Sequence, residues 1–185
     1  MKVYTWLLAI MTVFALRGYA QPDSTEAPAP LPEFTPGELL GPYELQEEKF
    51  FDNLEDALSN PEKVYKLSLA GQKLKQIPAE VFALSNLQVL ILSENKIKFL
   101  PEEIGQLKNL QLLSLYDNKL RTVPDDFREL ENLSTLYLGR NRLTELPIWM
   151  GGIGQLRRLD ISRNPMTPLE ITYIRNMLGG VEISY

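Results

Sequence analysis

Glu102-Glu103 and Asp125-Asp126 are adjacent carboxylates of the kind that can divide general acid and general base work between them. Gly151-Gly152-Ile153-Gly154 is a glycine cluster that could bring backbone N–H groups up to a phosphate. Neither constellation is completed. Both acidic pairs follow a proline, Pro101 and Pro124, in the same phase, where a helical turn begins and negative charge suits its positive end. The glycine cluster lacks the strand-turn-helix setting and the Lys of a phosphate loop, and reads as a loosened turn. With no Cys and no His among 185 residues, a thiol nucleophile, an imidazole base, a Ser-His-Asp triad and a Cys/His zinc site are excluded. A formal charge of -5 argues against general nucleic-acid binding, which rests on clustered Lys and Arg. The chain is therefore expected to be no enzyme, to carry no cofactor or metal, and to have no nucleic-acid partner. Asn132-Leu133-Ser134 fits a glycosylation sequon, which matters only in a host that glycosylates.

The elements that position these residues follow from a period. From Val64 the sequence repeats every 23 residues without insertion, in five units that begin at Val64, Leu87, Leu110, Leu133 and Leu156. Leu67, Leu90, Leu113, Leu136 and Leu159 form one column; Leu69, Leu92, Leu115, Leu138 and Ile161 form another. Gln72, Asn95, Asn118, Asn141 and Asn164 follow, then Leu74, Ile97, Leu120, Leu143 and Met166 two positions on. Pro78, Pro101, Pro124 and Pro147 mark the second half of the first four units. Alternation such as Leu113-Ser114-Leu115 is period two, so each unit contributes a short strand with its Leu residues inward. A buried amide must satisfy donors and an acceptor, so the Asn column is predicted to bond the turn backbones of neighbouring units.

These columns give LxxLxLxxNxL at five consecutive places and resemble the leucine-rich repeat family, over about two thirds of the chain after residue 20. Leu100-Pro101 with Ile104 and Leu107 is similar to the 23-residue subclass. Segment 52–67 is similar to the amino-terminal cap of bacterial exported members. The resemblance implies an α/β fold: a right-handed solenoid with a parallel concave sheet, short 3₁₀ or irregular convex segments and helical caps at both ends.

Outside the repeats, Met1-Lys2, the apolar run Val3 to Leu16 and Gly18-Tyr19-Ala20 read as a signal peptide, with cleavage expected after Ala20. The mature chain is then exported, to a periplasmic, cell-surface or secreted location, with no transmembrane span. Residues 21–42 read as a Pro-rich acidic tether and 43–63 as the amino-terminal cap. Charge is segregated: residues 21–62 hold eleven Asp/Glu and one Lys, whereas 63–185 hold sixteen Lys/Arg and thirteen Asp/Glu. The repeats run over 64–166. Asp52-Asn53-Leu54-Glu55 has helix-start spacing in the first cap, and Thr167-Pro168-Leu169-Glu170 opens a helix to about Leu178 in the second. Gly179-Gly180 stops that helix, and Val181 to Tyr185 closes the domain as a last edge strand.

The outward strand positions form the concave face, where members of the resembled family usually bind proteins. Val89, Ile91 and Leu112 lie there with Tyr116 and Tyr137 as an apolar-aromatic patch, the composition of interface centres. Cross-strand packing alone could also explain the patch. Asp117 flanks it on one side, Arg140 and Arg163 on the other. Lys73, Lys96, Lys119 and Arg142 make a separate basic column at the strand exits, expected to be solvated and paired with neighbouring units. The chain is thus read as a monomeric module that binds a protein or peptide. The alternative is a glycan-binding surface module, with Tyr116 and Tyr137 as stacking platforms and Asp117 and Arg140 as hydrogen-bonding groups.

Overall fold

A computed structural model describes residues 39–185; the expected signal peptide and residues 21–38 of the expected tether lie outside the described residues. The chain divides into two units between Glu48 and Lys49. In the first, helix α1 (Pro42–Glu47) starts with proline at its first position, and the Glu44 carboxylate accepts from the Gly41 N–H at 2.6 Å. Proline loses nothing there, because that N–H has no partner within a helix.

The second unit is one sheet of seven parallel strands in sequence order: β1 (Phe50–Phe51), β2 (Lys66–Ser68), β3 (Val89–Ile91), β4 (Leu112–Ser114), β5 (Thr135–Tyr137), β6 (Arg158–Asp160) and β7 (Glu182–Ser184). The sequence period sets the register directly: Lys66 pairs with Val89, Val89 with Leu112, Leu112 with Thr135 and Thr135 with Arg158. Each rung returns through a 3₁₀ turn that starts right after its proline: Ala79–Ala83, Glu102–Gln106, Asp125–Glu129 and Ile148–Gly152. The two acidic pairs open the second and third of these turns. Gly151 and Gly152 close the fourth, so both suspected chemical clusters are ordinary convex backbone.

Inside, the Leu columns form a continuous core, with Leu67, Leu90, Leu113, Leu136 and Leu159 all fully buried. The Asn column bonds as its chemistry requires. Asn118 donates to the carbonyls of Leu92 (2.9 Å) and Leu115 (3.1 Å) and accepts from the Ile97 N–H (3.0 Å). Asn95, Asn141 and Asn164 repeat the pattern one rung away each time. In the first repeat Gln72 is exposed and reaches the Asp52 carbonyl at 3.2 Å. A second amide column escaped the sequence reading. Asn86, Asn109 and Asn132 donate to the carbonyls of Glu62, Ser85 and Lys108 at 2.7, 2.9 and 2.9 Å. The sequon asparagine Asn132 is thereby committed to joining two rungs.

Both ends are capped by helices. Helix α2 (Leu54–Leu58) takes its cap from Asn53, whose side chain accepts the Glu55 N–H at 2.8 Å, while Ala57 is buried and Leu54 and Leu58 pack against the core. Helix α3 (Pro168–Met177) is capped by Thr167, which accepts the Glu170 N–H at 3.2 Å. Glu170 does not complete a reciprocal box; its carboxylate instead accepts the Leu146 N–H of the previous rung at 3.4 Å. Gly180, at φ 89°, supplies the left-handed residue that ends the segment before β7.

Candidate functional site

The register sorts the outward residues of the second unit into columns. Lys66, Val89, Leu112, Thr135, Arg158 and Glu182 make the first, and Ser68, Ile91, Ser114, Tyr137, Asp160 and Ser184 the second. A third column follows the inward Leu, with Ser93, Tyr116, Gly139 and Ser162 on successive rungs. The expected accessible patch is corrected here. Val89, Ile91 and Leu112 are 6%, 3% and 1% exposed, and their column neighbours Lys66, Ser68, Ser114 and Thr135 are buried as well. With strands about 4.8 Å apart, each side chain is flanked by the next along its column, and the three apolar residues present little contact area. Accessible surface remains at Tyr116, Asp117 and Tyr137, which are half-buried, and at Arg140 and Arg163, which are exposed.

Around the tyrosines lies a connected set of polar groups. Gly139 is buried because the Tyr116 ring lies against it. A Cβ at Gly139 would sit 2.9 Å from two ring carbons and 2.6 Å from an Asp160 carboxylate oxygen, so only glycine admits this contact. The other Asp160 oxygen accepts the Ser162 N–H at 2.8 Å, which fixes the carboxylate beside the ring. The Arg158 charge acts on the Tyr137 phenol, and Arg158 donates through Nε and Nη2 to one Glu182 carboxylate oxygen at 3.2 and 3.1 Å. On the neighbouring rim Arg140 pairs with Asp117 at 3.2 Å. Arg163 stands one rung further on and enters no ion pair among the described residues.

Glu94, Asp117, Arg140 and Arg163 share φ values between 52° and 59°, and Gly71 holds the same phase at φ 70°. Left-handed backbone in one phase of every rung belongs to the turn that precedes the Asn column and is not strain local to the site. Burial pushes the Tyr137 phenol above its ordinary value, against the opposing pull of the Arg158 charge. For Arg158, burial is outweighed by the hydrogen bond and charge of Glu182, and its pKa rises. At neutral pH the pair offers a neutral phenol and a fixed cation. Because the fold favours the protonated phenol, its contribution to stability is present below pH about 10 and is lost as pH rises through the raised value. Ultraviolet titration of the native chain minus that of Y137F should isolate a phenol ionising above about 10. A difference curve centred below that value would contradict the burial of the hydroxyl.

Sequence reasoning found the two tyrosines, Asp117 and Arg140, and missed Gly139, Asp160 and Glu182. Aligning second-column residues would have placed Asp160 beside Tyr137, as the register does. Among the described residues no cluster of three or more acidic side chains could hold a metal ion, and no helix is long and apolar enough to cross a membrane. What the site supplies is aromatic contact area framed by held charges, the chemistry of binding.

The family model for the leucine rich repeat matches residues 62–120 and 117–166, more than half of the chain. The chain belongs to the leucine-rich repeat family. No curated protein matches it. Among solved structures, a leucine-rich repeat protein of Leptospira interrogans is 39% identical with a TM-score of 0.66, over 75% of this chain and 35% of that one. TLR13, solved as a complex with an ssRNA, is 28% identical with a TM-score of 0.59, over 72% of this chain and 20% of that one. An internalin of Listeria monocytogenes, 19% identical with a TM-score of 0.52 over 72% of this chain and 37% of that one, shares the fold. This leucine-rich repeat chain thus spans about a third of the Leptospira protein. Its seven parallel strands and 3₁₀ returns are the solenoid that the 23-residue period implies.

Proposed function

We propose that this leucine-rich repeat chain is a non-catalytic recognition module that binds a protein or peptide through the strand face around Tyr116 and Tyr137. The observation that carries the reading is the Tyr116–Gly139–Asp160 contact beside the Tyr137–Arg158–Glu182 chain. Two aromatic rings with polar tips are held in place before any partner arrives, so little ordering cost falls on this side of the interface. Leucine-rich repeat proteins commonly use this face to bind proteins, and Tyr and Arg are both enriched at the energetic centres of interfaces. Asp117, Arg140 and Arg163 form the charged rim that orients the partner. From the composition of residues 1–20 we place the module outside the cytoplasm, as an exported protein.

Affinity capture from the native host, with Y116A/Y137A as control, tests the reading. Loss of a captured protein from the double variant, with its melting temperature retained, is the expected result. Retention of that protein together with loss of glycan-array signal would replace it with the glycan-binding alternative. If neither changes, the face is misassigned.

A further inference from the structure

Seven cations stand in two columns on the edge where the strands exit. Lys73, Lys96, Lys119 and Arg142 occupy the position directly after the Gln/Asn column. Lys75, Lys98 and Arg121 stand two residues on, across the inward Leu74, Ile97 and Leu120. Lys119 is half-buried and the other six are exposed. The pairing with neighbouring units expected of this edge does not occur. The four ion pairs among the described residues are Lys49–Asp56, Lys108–Glu129, Arg140–Asp117 and Arg158–Glu182, and none includes a ladder residue. No acid shares either column over these four rungs, and of the acids in the column before the Gln/Asn column, Glu94 and Asp117, the second is held by Arg140.

Six backbone N–H groups of this edge are committed to the fold. The N–H groups of Lys96, Lys119 and Arg142 donate to the carbonyls of Leu74, Ile97 and Leu120 at 2.8, 2.9 and 2.8 Å. The N–H groups of those three apolar residues go to the Asn column. None of these six can pair with an added peptide strand, so the edge is presented mainly through its side chains. Directly beside Lys98, Phe99 is 68% exposed, a flat apolar surface next to the cations.

We propose that this edge binds an extended acidic polysaccharide, one bearing a carboxylate or sulfate on successive sugars. Cations repeated on rungs about 4.8 Å apart form a rigid linear lattice that suits a linear polyanion. Five of the seven are Lys, point charges that do not demand the planar fork geometry for which Arg is favoured. Phe99 gives one sugar ring a face to lie on. A single-stranded nucleic acid would instead require several aromatics to stack successive bases, and the edge has one. The proposal concerns a different face from the tyrosine site and stands apart from it.

The test is binding of the full chain to heparin and to polygalacturonate, with uncharged dextran as blank and oligo(dT) and polyglutamate as competitors. The native chain should bind both acidic polysaccharides, with affinity falling steeply as salt rises. The variant K73Q/K96Q/K98Q/K119Q/R121Q should bind roughly tenfold or more weakly at low salt, because released counterions drive such binding. K98Q/R121Q should show an intermediate loss. F99A should weaken binding with an unchanged salt slope, since stacking releases no counterions. A control, K49Q/K63Q/K108Q/R128Q/R175Q, changes net charge equally and should bind nearly as the native chain does. Failure of the native chain to bind either polysaccharide would overturn the proposal. So would equal loss in both fivefold variants, or tighter binding of oligo(dT) or polyglutamate than of either polysaccharide.

Discussion

Asn118→Ala is expected to lower the unfolding free energy by roughly 3–5 kcal/mol. The substitution orphans the Ile97 N–H and removes one of two amide donors from each of the carbonyls of Leu92 and Leu115, which keep Asn95 and Asn141 respectively. The orphaned buried N–H costs about 1–3 kcal/mol and each lost carbonyl bond about 0.5–1.5 kcal/mol, and Asn118 is only 7% exposed, so water cannot readily substitute. Asn132→Ala is the matched control. It removes an amide from the second column, where one bond to the Lys108 carbonyl is lost and that carbonyl lies near solvent, for about 1 kcal/mol. Urea denaturation of both variants checks the difference. Equal costs would show that the Asn column does not hold successive rungs together.

Phe127→Ala should be as severe, at about 3–5 kcal/mol, through loss of core contacts rather than hydrogen bonds. Phe127 is fully buried inside the third convex turn, Asp125–Glu129, in the middle of the stack. Because each rung is supported mainly by its neighbours, a cavity at the centre weakens the coupling between the two ends. Amide hydrogen exchange should then show protection falling on the rungs either side of Phe127, with the unfolding transition broadened. A loss confined to the last turn, or a sharp transition at nearly native stability, would contradict a core shared from rung to rung.

Much of the fold is legible in the sequence because a strict period fixes register. Once Leu90 and Leu113 are known to be equivalent, the parallel pairing of β3 with β4 follows, and Thr167 and Gly180 announce where the last helix starts and stops. Strand β1 lies outside the period: Phe50-Phe51 carries no alternation, and its pairing with Lys66 and Leu67 covers what would be an open edge of β2. The site is less legible. Alternation divides residues into inward and outward, but it does not say how far outward residues cover one another, which is why Val89, Ile91 and Leu112 read as accessible and are buried. The pairing of Arg158 with Glu182 spans 24 residues, not 23, because β7 belongs to the cap, so no column alignment predicts it. The close approach of Tyr116 to Gly139 depends on a missing Cβ on the neighbouring rung, a fact visible only once the rungs are stacked.

The claim that the tyrosine face receives a protein partner is tested most directly by position-specific photocrosslinking in the native host. A photoreactive phenylalanine in place of Tyr137 should yield a discrete protein adduct, and the same residue in place of Glu103, on a convex turn, should yield none. Adducts formed from the convex position and not from Tyr137 would contradict the account.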